Sequence, residues 1–137
     1  MARDDPMGGD SACWSDRFAQ NSGGPPVADL PALARGAAAP GPAWTQASDD
    51  LHANLVVFDD NDGIDEHANP DLDVLLVGVL GHGVVTIDGA AVGLWPGWTV
   101  LVPKGTRRAV RAAGGRFAYL TCHRRRPPLR PAGRARS

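Results

Sequence analysis

Cysteine, lysine and long apolar runs are scarce in this chain. Cysteine occurs twice, at Cys13 and Cys122, with no metal-site spacing, so neither a disulfide framework nor a cysteine-built metal site is expected. Cys122 reads as a small buried hydrophobe. No apolar stretch approaches the roughly 20 residues that span a bilayer, which excludes a membrane helix. The first residues, MARDDPMGGDSACW, are acidic and lack the apolar region of a secretory signal, so residence in the cytoplasm is the expectation. Catalytic arrangements are missing as well. No Ser-His-Asp or Cys-His pattern can be argued, and no glycine loop has a phosphate-binding context.

What is present is arginine, alanine, glycine and proline. There are 13 arginines to one lysine, the bias of a GC-rich coding sequence. The net charge of −1 hides a polarity along the chain: 14 of the 15 acidic residues lie at or before Asp73, and 11 of the 14 basic ones at or after Lys104. Such asymmetry reads as an acidic face and a basic tail.

The 137 residues are enough for one domain. Residues 1–42 contain GGPP and ARGAAAPGP, with little periodic hydrophobicity, and are expected to form a disordered or extended arm. Within it, VADLPALA is read as a solvated linker in preference to a helical turn packed on the domain. The domain is assigned to residues 43–126. Leu51–Phe58 alternates like a strand, with His52, Asn54, Val56 and Phe58 on one face and Ala53, Leu55 and Val57 on the other. The carboxylates of DDNDGID lack the ligand pattern of a calcium loop and read as a solvated turn. Arg116–Cys122 makes the last strand. From His123 the chain turns Arg- and Pro-rich, and residues 127–137 are expected to be a basic flexible tail. That tail lacks interleaved aromatics, so a nucleic-acid partner is not favoured.

The organising stretch runs from Glu66 to Arg108. Val74–Leu80, Val84–Asp88, Ala90–Leu94 and Trp98–Val102 read as short strands. Asp88-Gly89 signals a tight hairpin, because both residues tolerate the positive φ of a type I′ turn. Pro103 ends the fourth strand. Two motifs lie inside: His67-x-Asn69, four residues, Val74, six residues and Gly81; then Gly97, five residues, Pro103-x-Gly105, two residues and Arg108. This string resembles the paired signature motifs of the cupin superfamily, whose metal-bearing positions hold His, His, Glu and His. The resemblance implies an all-β fold, a single cupin-type jelly-roll barrel. Of the four ligand positions only His67 keeps a ligand type; Asn69, Val74 and Arg108 replace the others, so no standard metal site and no cofactor are expected.

The alignment would point Val74, Leu76, Gly78 and Leu80 into the barrel and Leu75, Val77 and Val79 out of it. Three exposed apolar residues call for a cover, either a second subunit, since cupins commonly pair through such sheets, or the N-terminal arm. His67, Asn69 and Arg108 then face the barrel mouth as candidate ligand-binding residues. Arginine stays protonated and cannot ligate a metal, but with its donor fork it suits a carboxylate or other anion. The alternative is that Arg108 pairs with Asp71 or Asp73 at the rim. His52, His82 and His123 read as surface or core histidines, and Trp95 and Trp98 as packing at strand ends. The function expected is a small-molecule-binding, homodimeric cupin-domain protein, leaning away from an enzyme. The other reading kept is a metal-dependent cupin isomerase or oxygenase, using a divalent metal held by His67 with atypical ligands. A structural or nucleic-acid role for the arginine tail ranks last.

Overall fold

The computed structural model describes residues 27–125; the expected arm before residue 27, Cys13 and the basic tail lie outside them. One short helix, α1 (Leu30–Gly36), precedes nine strands: β1 (Gly41–Ala47), β2 (Leu51–Phe58), β3 (Gly63–Ala68), β4 (Val74–Leu80), β5 (Gly83–Ile87), β6 (Ala90–Leu94), β7 (Thr99–Val102), β8 (Arg107–Ala112) and β9 (Phe117–Arg124). They form two antiparallel sheets, β1-β2-β9-β4-β7 and β3-β8-β5-β6. The all-β expectation holds.

The core lies between the sheets because strand alternation sends one side chain in two inward. Phe58 on β2, Val74 and Leu76 on β4, Val85 on β5, Leu94 on β6, Val102 on β7, Val110 on β8, and Phe117 and Tyr119 on β9 make one buried cluster. The hairpin forms where the sequence places it: Asp88 and Gly89 both take positive φ, 48° and 87°. Gly78 has a different reason. Its N–H donates to the Trp98 carbonyl and its carbonyl accepts from Gly97, and a Cβ there would run into the Trp95 carbonyl.

Three expectations are corrected. Val79 and Leu80 both lie on the outer face, because a bulge carries the β4–β9 pairing from Gly78↔Tyr119 to Leu80↔Ala118; Leu80 therefore does not point into the barrel. The cover over that face comes from the segment read as a linker. Helix α1 places Ala34, 0% exposed, against Leu55, Val57 and Ala118, with Leu30, Trp44, Val79 and Leu80 around them. Its ends are satisfied despite its length. The Asp29 side chain accepts from the Ala32 N–H, and Arg116 Nη1 donates to the Ala34 and Ala37 carbonyls, which otherwise have no partner within the helix. Cys122 is half-buried rather than buried, paired with Leu75 on the part of the outer face beyond α1.

The charge polarity of the sequence is resolved by topology. β3 runs against β8 and β2 against β9, so acids of the first half meet arginines of the second. Glu66 pairs with Arg107 at 3.1 Å, Asp65 with Arg111 at 3.2 Å and Asp59 with Arg116 at 3.0 Å. Asp60 Oδ1 accepts from the N–H groups of Gly114 and Gly115, so the DDNDGID carboxylates hold the neighbouring turn.

If α1 is part of the domain, Ala34→Asp should lower the unfolding free energy by about 3 kcal/mol, the cost of forcing an unpaired carboxylate into a packed apolar site. Arg35→Ala, on the exposed side of the same helix, should stay within about 0.5 kcal/mol of the wild type. Urea unfolding measured for both variants checks this.

Candidate functional site

Each end of the barrel is built from loops joining the sheets, and one end collects the polar inward positions. The loop from Ala68 to Val74 and the loop from Val102 to Arg107 both cross between sheets there. Asn69 clasps them together. Its carbonyl accepts from the Gly105 N–H at 2.7 Å, and its Oδ1 accepts from the N–H groups of Asp71 and Leu72. Asn69 thus spends its side-chain oxygen on its own turn, where the expectation was that it would face a ligand.

Arg108 sits directly opposite His67 on β3 and Ile87 on β5, and cross-strand partners share a face. That face is the inner one, since Val110, two residues on, is buried in the core. Arg107 must then point out, where Glu66 holds it; that pairing keeps the Glu66 carboxyl below its usual range. The rim carboxylate Asp73 accepts from the Lys104 backbone N–H.

The Arg108 side chain is half-buried, and its Nη1 is buried with no hydrogen-bond partner among the described residues. Burial pushes the guanidinium below its ordinary pKa, and the nearby Tyr119 opposes that shift. Tyr119 is 2% exposed. Burial drives its phenol well above the ordinary value, with Arg108 pulling weakly the other way. His67 is exposed at the mouth, and its Nδ1–H donates to the Asp65 carbonyl at 3.0 Å. A carbonyl only accepts, so the neutral ring leaves Nε2 as the acceptor.

Across the barrel, β2 and β9 add residues the sequence reading left as ordinary. His52 and His123 are paired and stacked, ring centroids 5.1 Å apart, with His123 Nδ1–H donating to the Arg124 carbonyl. Thr45 Oγ1 donates to Asn54 Oδ1 at 2.7 Å. Their shared face follows from Val56 and Phe58, which continue the same side of β2 into the core. The alternation Phe117, Tyr119, Thr121, His123 carried the same signal for β9. His82 lies elsewhere, stacked on Trp95 at 3.9 Å and 8° in the turn region holding Trp98; both tryptophans are exposed. A depression of about 420 Å³ beside α1 is lined by Ala32, Leu33, Gly36 and Pro40 among other apolar residues, and offers no side-chain chemistry.

The donor set does not fit the metal that the barrel type implies. Arg108 has no lone pair to give, Val74 no donor atom, and the Asn69 oxygen is committed to its loop, which leaves His67 alone. Among the described residues no three His, Cys, Asp or Glu side chains group to hold an ion.

No family model and no curated protein sequence matches the chain. Solved structures do. KdgF from Halomonas sp. is 24% identical, with a TM-score of 0.58 over 61% of this chain and 77% of that one. A cupin superfamily protein from Desulfitobacterium hafniense DCB-2 is 27% identical, TM-score 0.51, covering 56% and 69%. A cupin-2 domain protein from Shewanella frigidimarina NCIMB 400 is 17% identical, TM-score 0.53, covering 64% and 81%. The chain has the cupin fold, as its two motifs implied.

Tyr119 is the single tyrosine of the chain, so its titration can be read directly in the ultraviolet. A raised folded-state pKa means that the native chain holds the phenol proton more tightly than the unfolded one. Its contribution to stability is therefore complete below the unfolded value of about 10 and is lost as pH rises above it. Native protein should show no phenolate at about pH 10, where urea-unfolded protein is half-ionised.

Proposed function

Taking the cupin barrel as its scaffold, we propose that this chain binds a small anionic molecule, a carboxylate foremost, at the barrel mouth and without a standard cupin metal centre. The observation that carries the reading is the Nη1 group of Arg108, a charged donor buried on the inner face with no partner among the described residues. Leaving such a donor unmade costs on the order of 1–3 kcal/mol or more, and folded proteins leave few of them. A ligand oxygen answers it with a charge-assisted bond. The guanidinium stands at one of the four positions where the signature motifs carry metal ligands, so the positive charge there is covalently part of the chain. His67, opposite on β3, adds an acceptor at Nε2. Asn69 contributes by fixing the loop that carries the mouth.

Arg108→Leu should weaken binding of a small carboxylate at least about tenfold, corresponding to the roughly 1.5–3 kcal/mol of a hydrogen bond to a charged group. Arg107→Leu, on the opposite face of β8, should leave it unchanged. Calorimetric titration of both variants decides it. Equal losses would assign the attraction to general surface charge and remove the site.

We propose in addition that two copies pair along the β7 edge of the five-stranded sheet. Leu75 and Leu101 are cross-strand neighbours on the outer face, 37% and 61% exposed, beyond the area α1 covers. β7 ends its sheet, and an edge strand set against its own two-fold copy joins both the ladder and the leucines. Light scattering should give a dimer for the wild type and a monomer for Leu101→Asp; a monomeric wild type removes the pairing.

A further inference from the structure

The surroundings of Arg108 constrain more than the sign of its ligand. Among the described residues, the other arginines that make side-chain bonds spend them outside the barrel: Arg107 on Glu66, Arg111 on Asp65 and the Asn61 carbonyl, Arg116 on Asp59 and α1, Arg125 on the Ser48 carbonyl. Arg108 alone of these faces the core cluster, so one permanent positive charge serves the interior. The neutral phenol of Tyr119 adds no opposing charge.

Apart from the Tyr119 phenol, the walls next to Arg108 are hydrocarbon. Ile87 flanks it across β5, Val110 follows on its own strand, and Val74, Val100 and Val102 belong to the same cluster from the facing sheet. Apart from the phenol of Tyr119, no polar or charged side chain is buried among the described residues. The polar rim mostly satisfies itself: Thr45 is bonded to Asn54, and the Nδ1–H groups of His67 and His123 are held by backbone carbonyls. A hydroxyl on the ligand body would lose its water and find little in exchange. A second negative charge would enter a low-dielectric space with no second cation to meet it.

Resting on the reading of Arg108 as a ligand site, we infer that the ligand is a small monoanionic acid with an apolar body, its carboxylate on Arg108 and its hydrocarbon part against Ile87, the part-buried side chain beside it. Specificity then comes from what the interior lacks. Sugar acids, dicarboxylates and phosphate are disfavoured because their additional polar groups stay unpaired, each roughly a ten- to hundredfold penalty.

The test is calorimetric titration of the full chain at neutral pH with butyrate, benzoate, 3-hydroxybutyrate, succinate and inorganic phosphate, repeated on Arg108→Leu and Arg108→Gln. Two replacements are used so that one folded variant, verified by its melting curve, is in hand. The expected result is that butyrate or benzoate binds at least about tenfold more tightly than the other three, and that this binding is lost in the variants. Succinate, 3-hydroxybutyrate or phosphate binding as well as butyrate, and still through Arg108, overturns the inference while leaving the anion site standing. No acid binding in an Arg108-dependent way overturns the site itself.

Discussion

A strand offers its side chains only two directions, and for β8 that constraint sorts adjacent arginines into opposite environments. Its register against β3 and β5 leaves Arg107 in solvent beside Glu66 and turns Arg108 toward Val110 and Tyr119. A slip of one residue would exchange them, placing the ion-paired arginine inside and the orphaned donor outside. The inner face of the mouth owes its character to that register, and the register is held from both sides. Asp88 Oδ1 accepts from the Arg107 N–H, and the Asp88 N–H donates to the Arg107 carbonyl. On the other side, Asn69 ties the incoming loop to Gly105.

Much of the barrel was legible in the sequence because β-structure with one buried face writes itself as alternation. β2, β4 and β6 occur at the residues their patterns marked, and the Asp88-Gly89 turn is where its backbone requirement put it. What escaped were features decided by tertiary contact. α1 is 7 residues long, too short to form by propensity; it exists because Ala34 fits over Ala118 and because Arg116, more than 70 positions away, binds its last carbonyls. The bulge after Gly78 leaves no mark in the hydropathy pattern, so Leu80 was sent to the wrong face.

The site was legible in outline. The resemblance of the two motifs implied that Arg108 comes up opposite His67, and β3–β8 pairing places them so. The function of the Asn69 oxygen was not, since an asparagine before Pro-Asp in a loop is equally suited to face a cavity or to close an Asx turn. Tyr119 and the His52–His123 pair were missed for another reason: facing positions on two sheets are related by the fold and by nothing in the spacing. The same fold carries many chemistries, and this chain departs from the metal-bearing motif pattern at Asn69, Val74 and Arg108.

The place of β9 has a consequence for how the chain is made. It is the last strand among the described residues and the middle strand of its sheet, with β2 on one side and β4 on the other. During synthesis, strands β1, β2, β4 and β7 leave the ribosome before the element that joins them into one layer. The β2–β9 contacts close loops of more than 50 residues, the slow regime of folding. Until β8 emerges the chain carries all 15 of its acids and only three of its 13 arginines. Like charge of that size disfavours association of neighbouring nascent chains until Arg107, Arg108 and Arg111 of β8 begin to neutralise it.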